Sequence, residues 1–581
     1  MPLLMMSRGT CLQYNSKKQG KPLTQRLPAL TADRVVNNFG GRGIKAQDAT
    51  DPSSCSEPGV KSLTRTTCER NQLPNRSPLN QLPVELLLEI FWKYVHESSI
   101  AVQAPSKSGT TSSFEVPSYG TPPGSPILLS HVCPLWRAIV VSSPNLWSTI
   151  HVDDNCPGFA DRLLLYVSRS GTNLLTLTMK IWRAPSLADR HGTTRHWGTC
   201  ALAISQFPRC RRIYLDISWA LEHALVARLP PSSTPPVHLE ELSVRLPGWS
   251  SRNALKFSAY LHRSPRLKTV KWKGLYTNAN GRVTRSLLED LPTDTVRSID
   301  LGDFHSLEDL LPALARHEHL EQLRSYVCKP SSVWTTSVQS MMTLGPTSSP
   351  RDSLKLEHLH TISLHTLSTL THVFAALELP ALRTLAIDHF WDMTSANNLT
   401  SSHHHYADVG WDAVRGMLER SKCKLESLVY TRYGGDGNQL DIAVPPINEA
   451  ALGRLLEAPV MESLRLLSFT GRFGDRTLRT LTLQHASSQT SEGGAAARLV
   501  LPNLQILVIN ECWSTDGTWS EMVLSRSRAH LVGGKAVSRC LEKAHVLLKG
   551  SSQSNFSRDL MLVVPGVEVI ADWGEPQNSF F

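Results

Sequence analysis

Leu239-Glu240-Glu241-Leu242-Ser243-Val244 decides the fold, because its spacing returns along the chain from residue 239 to residue 509. Leu242 and Val244 are two apart, so in an extended strand they point to one face while Ser243 points to the other. The same L-x-x-L-x-L spacing recurs at Leu267, Val270 and Trp272, at Val296, Ile299 and Leu301, at Leu359, Ile362 and Leu364, and at Leu382, Leu385 and Ile387. Four more instances are Leu425, Leu428 and Tyr430; Leu464, Leu467 and Phe469; Leu478, Leu481 and Leu483; and Leu504, Leu507 and Ile509. Cys210, Ile213 and Leu215 fit loosely, as do Leu320 and Leu323. A strand is expected at each motif, with one face apolar and inward. Amphipathic stretches between motifs, such as those carrying Leu310, Leu311 and Leu314 or Leu452, Leu455 and Leu456, suit return helices.

The array resembles leucine-rich repeats, in which each unit contributes one strand of a parallel sheet and a return segment that is often helical. Motif starts at 239, 267 and 296 fit such a period. Elsewhere the spacing is irregular, and the asparagine that these repeats usually carry after the strand is missing. The competing reading is a non-repetitive α/β domain with several buried strands. The resemblance implies an α/β fold, with an irregular solenoid and curved parallel sheet over residues 154–575, client-binding along the sheet, and Val567 to Ile570 as final strand or cover.

Upstream, Leu82, Pro83, Glu85 and Leu86 begin a helical pattern. Proline fits a first helical turn, and Leu86, Leu87, Ile90, Phe91, Tyr94 and Val95 recur at helical spacing. Glu89 and Lys93 are placed for an i,i+4 pair. A second pattern carries Leu129, Val132, Cys133, Trp136, Ile139 and Val140, with Pro134 marking either a break or the first turn of a third helix. By periodicity alone these are core helices of an all-α domain. The joint order of LPxEL, IF, VCxxWR with Arg137, and then Pro144, Leu146 and Trp147 resembles an F-box.

The F-box resemblance implies a helical module at 78–153 that docks on a Skp-type adaptor and, through it, a cullin/RING ubiquitin ligase. The implied contacts are Leu82, Pro83, Glu85, Leu86, Ile90, Phe91, Leu129, Val132, Cys133, Trp136 and Arg137. The departure is a Ser, Thr, Pro and Gly-rich insertion at 98–126, expected to be a flexible loop. The whole chain then reads as the substrate receptor of an SCF-type E3 ligase, with no catalytic residues, no cofactor and a protein client. The alternatives are a scaffold acting outside degradation and a nuclear or chromatin-associated binder.

Composition bounds these readings. At 581 residues the chain exceeds one compact core, and 41% hydrophobic content indicates a mostly folded protein. Residues 1–45 hold eight Lys or Arg and one acidic residue, so +7 of the net +10 sits there and +3 is left for the remainder. Residues 1–77 therefore read as a basic, disordered tail, and nucleic acid is not the expected partner. No apolar run reaches membrane-span length and no signal core is evident, so a cytoplasmic or nuclear location is expected. Eleven thinly spread cysteines without a CxxC pair read as reduced thiols. His403, His404 and His405 are consecutive and diverge, which disfavours a metal site. No GxSxG, HExxH or phosphate-loop lysine motif occurs. Arg211, Arg212, Lys268, Lys271, Lys273 and Arg383 beside the strand motifs are expected on solvated faces, some available to an acidic partner.

Overall fold

The computed structural model describes residues 82–96, 124–153, 158–182, 190–230, 234–273, 288–305, 311, 313–327, 353–366, 370–390, 409–433, 447–483, 499–527, 531–532, 535–536, 540–549, 559 and 562–574. The chain divides after Asn75, and every described residue belongs to the second unit. The tail at 1–77, the insertion up to residue 123 and the histidine run at 403–405 lie outside the described residues.

Fourteen strands form one parallel sheet in chain order. They are β1 (Thr149–Asp153), β2 (Leu175–Ile181), β3 (Cys210–Ile217), β4 (Glu241–Arg245), β5 (Thr269–Lys273), β6 (Ser298–His305) and β7 (Gln322–Val327), then β8 (Thr361–Thr366), β9 (Thr384–Phe390), β10 (Ser427–Tyr433), β11 (Leu466–Phe473), β12 (Ile506–Cys512), β13 (Lys543–Lys549) and β14 (Glu568–Gly574). Before the sheet come α1 (Val84–His96), α2 (Pro126–Ser130) and α3 (Pro134–Val141). Parallel neighbours require return segments. The helical ones are α4 (Phe159–Arg169), α5 (Arg190–Ser205), α6 (Glu222–Ala227), α7 (Ser251–Leu261), α8 (Thr371–Ala376), α9 (Trp411–Ser421), α10 (Glu449–Leu456), α11 (Asp475–Leu481) and α12 (Thr518–Arg526).

The motif explains the register. Its first apolar residue precedes each strand and is buried, as at Leu239, Leu267, Val296, Leu359, Leu382 and Leu425. Its second falls in a cross-strand row in which Leu242, Val270, Ile299, Leu323, Ile362, Leu385, Leu428, Leu467 and Leu507 face their neighbours pairwise. Burying this row against the return segments yields one continuous apolar core from Ile150 to Val564. At roughly 25 cal/mol per Å² of apolar surface, that burial is the dominant stabilising term.

One motif is misread by the strand rule. Leu478 and Leu481 lie on α11, and the motif containing them is not a strand. An L-x-x-L pair also satisfies helical i,i+3 spacing, and a return segment is needed between parallel β11 and β12. Conversely, β1, β2 and β13 carry no motif of the series.

The residue after the motif's first apolar position forms a charged edge row. The backbone N–H of Glu240, Lys268, Arg297, Glu321, His360, Arg383 and Glu426 each donates to the carbonyl of the preceding member, starting from Arg211. Glutamates within the row pair with cations beside them, with Arg211–Glu240 at 3.2 Å, Arg297–Glu321 at 3.7 Å and Arg383–Glu426 at 3.9 Å. Arg212 pairs with Glu241 and Lys268 with Glu240. Each such surface pair contributes little stability, yet the row neutralises these cations.

Carboxylates tie successive return segments. Glu222, the first residue of α6, accepts from Ser250 N and Asn253 Nδ2 at the start of α7, each at 2.7 Å. Glu449, the first residue of α10, accepts from Gly474 N at 2.9 Å, Thr477 N at 2.8 Å and Thr477 Oγ1 at 2.9 Å. Asp475 on α11 accepts in turn from Thr515 N and Oγ1 ahead of α12. Helix N-termini carry unsatisfied N–H donors, and Glu449 fills that of Thr477 in the first turn of α11. Arginines act in reverse: Arg420 donates to Phe374 O and Leu377 O, and Arg526 donates to Leu481 O and Val500 O. Glu449→Ala should cost about 2 to 3 kcal/mol in urea denaturation, because part-buried donors lose their acceptor. Glu449→Gln retains one acceptor oxygen and should recover at least half; equal losses in both variants would show that the hydrogen bonds are not the cause.

Candidate docking surfaces

Pro83 immediately precedes α1, and its carbonyl accepts the N–H groups of Leu86 and Leu87, starting the helix one residue later than a first-turn proline would. Pro134 is the first residue of α3, so the second apolar pattern is two helices rather than one broken helix. Cys133 caps α3 by accepting the Trp136 N–H at 3.4 Å. Arg137 Nε donates to Ser130 O at 2.9 Å, tying α3 to the end of α2. Gly124, Ser125 and Pro126, placed by sequence within the insertion, belong to the folded module. Gly124 has φ +107°, and a Cβ there would meet the Tyr94 carbonyl oxygen. Ser125 Oγ caps α2 and meets Tyr166 Oη of α4 at 3.1 Å.

The three helices bury a core of their own: Leu87, Phe91 and Val95 from α1, Leu129 from α2, Ile139 and Val140 from α3, then Leu146 and Trp147. Phe91 lies 4.7 Å from the half-buried Trp136 ring, and Trp147 Nε1 donates to Val140 O at 2.8 Å. Two residues expected as partner contacts, Phe91 and Leu129, therefore lie inside this core, because their helices pack against each other through them. Leu82, Cys133 and Trp136 are half-buried, and Pro83, Glu85 and Arg137 are exposed.

What stays outside is the informative part. Leu86 is 51% exposed, Ile90 47% and Val132 59%, joined by Val84, Trp92, Leu128 and Leu135. A module that has completed its own core and still presents this many large apolar side chains has the composition of a protein-binding face. Trp92, Leu128 and Leu135 were not singled out by sequence. Helical spacing marks apolar positions without saying which side a neighbouring helix will cover.

Where the module meets the sheet, Thr149 Oγ1 lies 3.0 Å from His96 Nδ1. Burial lowers the His96 pKa, and burial with the nearby His96 lowers that of His151 on β1 to about 4.

The sheet face opposite the apolar core is polar and unevenly charged. Across β5, β6 and β7 the register aligns Lys271, Asp300 and Arg324 in one row. Two positions along, β3 and β4 align Asp216 with Arg245 at 3.4 Å, and Arg245 lies 4.7 Å over the Trp182 ring. Across β7, β8 and β9 the row reads Tyr326, His365 and Asp388. His365 Nδ1 meets Asp388 Oδ2 at 2.9 Å, its Nε2 accepts from Arg324 Nε at 2.9 Å, and its ring stacks on Tyr326 at 4.0 Å.

Among the described residues no helix is long and apolar enough to cross a membrane, and no group of His, Cys, Asp and Glu is placed to hold a metal ion. No family model matches the chain and no curated protein matches it, so both surfaces are read from their residues alone.

Proposed function

We propose that the chain is the substrate-recognition subunit of an SCF-type ubiquitin ligase: an F-box at 78–153 that binds a Skp-type adaptor, followed by an irregular leucine-rich-repeat-like solenoid that binds the client protein. The observation that carries this reading is the module built from α1 to α3. It completes a core through Leu87, Phe91, Leu129 and Val140 and leaves Leu86, Ile90, Leu128, Val132 and Leu135 exposed. The strand order supports the second half, since every strand of the sheet pairs with its neighbours in chain order, as stacked repeats require. The mechanism is proximity: the ligase partners supply the ubiquitin chemistry, and this chain raises the client's local concentration beside them.

The test is capture of a purified Skp adaptor by the full-length chain. Burying one Leu or Ile side chain at an interface is worth about 1.5 to 3 kcal/mol, so Leu86→Asp combined with Ile90→Asp should weaken binding at least 100-fold. Both positions are solvent-facing, so folding should be retained, as circular dichroism would verify. Adaptor affinity within a few fold of the parent would remove the assignment. If adaptor binds but no cullin-dependent ubiquitination of any co-purifying client follows, the chain is a scaffold outside degradation.

A further inference from the structure

The face of the sheet turned away from the apolar core changes character along the chain. From β3 to β9 it carries charge, including Asp216, Arg245, Lys271, Asp300, Arg324 and Asp388. Across β10, β11 and β12 the register aligns Ser427, Leu466 and Ile506 in one row, Val429, Ser468 and Val508 in the next, and Thr431, Thr470 and Asn510 in the third. None of these nine is charged. All are half-buried, and Val429, Leu466, Ile506 and Val508 lie outside the core packed on the other side of the sheet. Charge borders the patch without entering it. Asp388, paired with His365 at 2.9 Å, lies beside Thr431; Lys543, paired with Glu568 at 3.0 Å, lies beside Ile506, and His545 beside Val508. Glu426 and Arg465 each precede a strand, and Arg432 alternates to the opposite face, next to His389.

We infer that this patch on β10 to β12 docks an amphipathic helix of the client, laid with an uncharged apolar stripe against Val429, Leu466, Ile506 and Val508. This rests on reading the sheet as the client-binding part of the chain, and it names the form and chemistry of the client segment. Backbone bonding selects a helix. β10, β11 and β12 each pair with a strand on both sides, so their N–H and C=O groups are spent on the ladder. An extended segment pressed on this face would hold its own N–H and C=O groups alongside aliphatic side chains with no strand partner, whereas a helix satisfies them internally. Charge selects the stripe, because a Lys or Glu seated among the four aliphatic side chains would lose hydration and find no opposite charge there. Width agrees: from β9 to β12 the face spans about 14 Å at ordinary strand spacing, room for one helix of about 10 to 12 Å. Ala386 of β9 continues the middle row beside Val429 and keeps that margin low and uncharged.

The experiment uses the full-length protein and a fluorescein-labelled helical peptide of about 18 residues, with Leu and Ile at i, i+3, i+4 and i+7 spacing and balanced Glu and Lys on the opposite face, followed by fluorescence anisotropy. Saturable binding that changes less than about twofold between low and high salt is expected. Val429→Lys and Val508→Lys should each weaken it at least about tenfold. Val429→Thr combined with Val508→Thr keeps the branched shape that strands favour, so it tests the site even where a lysine unfolds the sheet, and it should weaken binding about three- to tenfold. Ser243→Lys, on the charged part of the same face, should change binding less than about twofold. Binding that falls steeply with salt, an equal loss from Ser243→Lys, or no saturable binding would overturn the site. The same peptide with proline at two central positions should bind at least about tenfold more weakly, and equal affinity would overturn the helix assignment. Sedimentation of the protein alone covers a second copy as occupant: a dimer abolished by Val508→Lys would make this face an interface between copies and reject the client site. Adaptor capture measured on the same variants separates the two readings, since each should retain it. Peptide binding without adaptor capture would leave this site standing while the ligase reading falls, and capture without peptide binding would do the reverse.

Discussion

Lowering the pH from 6.5 to 4.5 should cost the folded protein several kcal/mol, most of it above the range in which ordinary carboxylates titrate. His151 and His389 have pKa values lowered to about 4, and His262 to about 3, in each case mainly by burial. His262 sits edge-on to Trp272 at 5.4 Å with neither ring nitrogen hydrogen-bonded among the described residues. His389 feels Arg432 beside it. An unfolded histidine takes up a proton near pH 6.5, whereas these wait until the pH is two or more units lower. The unfolded state therefore binds more protons in that window, and stability falls as pH falls. At about 1.36 kcal/mol per unit per group, these three histidines over two units contribute at most roughly 8 kcal/mol, and His96 and His317, also lowered by burial, act in the same direction. Asp216, Asp300 and Asp559 are raised by burial and act with the opposite sign. Their offset grows toward the carboxylate range, so the steepest loss is expected between pH 6.5 and 5. Urea midpoints at half-unit intervals would show it, and His389→Asn should remove about a third of the slope. A flat profile from pH 7 to 5 would mean that these rings are protonated or hydrated in the native state.

The sheet was legible because its signal is local and repeated. Each motif places apolar residues two apart beside a buried leucine, and burial of Leu242, Val244 and their counterparts needs nothing from distant sequence. Leu478 and Leu481 mark where that rule stops, since their spacing serves helix and strand alike. The helical module was legible in composition but not in orientation. The six apolar positions of α1 form one wide stripe in sequence, and only the packing of α2 and α3 decides that Leu87 and Phe91 are covered while Leu86 and Ile90 are not. The Arg324, His365 and Asp388 arrangement had no local signal at all. Its members are spread over 65 residues' worth of chain, from 324 to 388, and meet only through the register of β7, β8 and β9.

Trp411→Ala should be among the most damaging single substitutions in the sheet region, at about 3 to 5 kcal/mol. The indole is 1% exposed at the first position of α9, edge-on to Tyr430 of β10 at 5.1 Å and to Phe469 of β11 at 6.1 Å. One side chain thus joins a return helix to two consecutive strands. Its Nε1 has no hydrogen-bond partner among the described residues. Trp411→Phe would remove that stranded donor along with part of the volume, so it should cost less than half as much. Because strands pair only with those adjacent in the chain, the damage should stay local. Hydrogen exchange should accelerate across β9, β10 and β11, while α1 keeps the protection of the parent. A loss below 1 kcal/mol would show that the aromatic cluster is loosely packed. A uniform rise in exchange that includes α1 would show that the chain unfolds as one cooperative body rather than as units coupled to their neighbours.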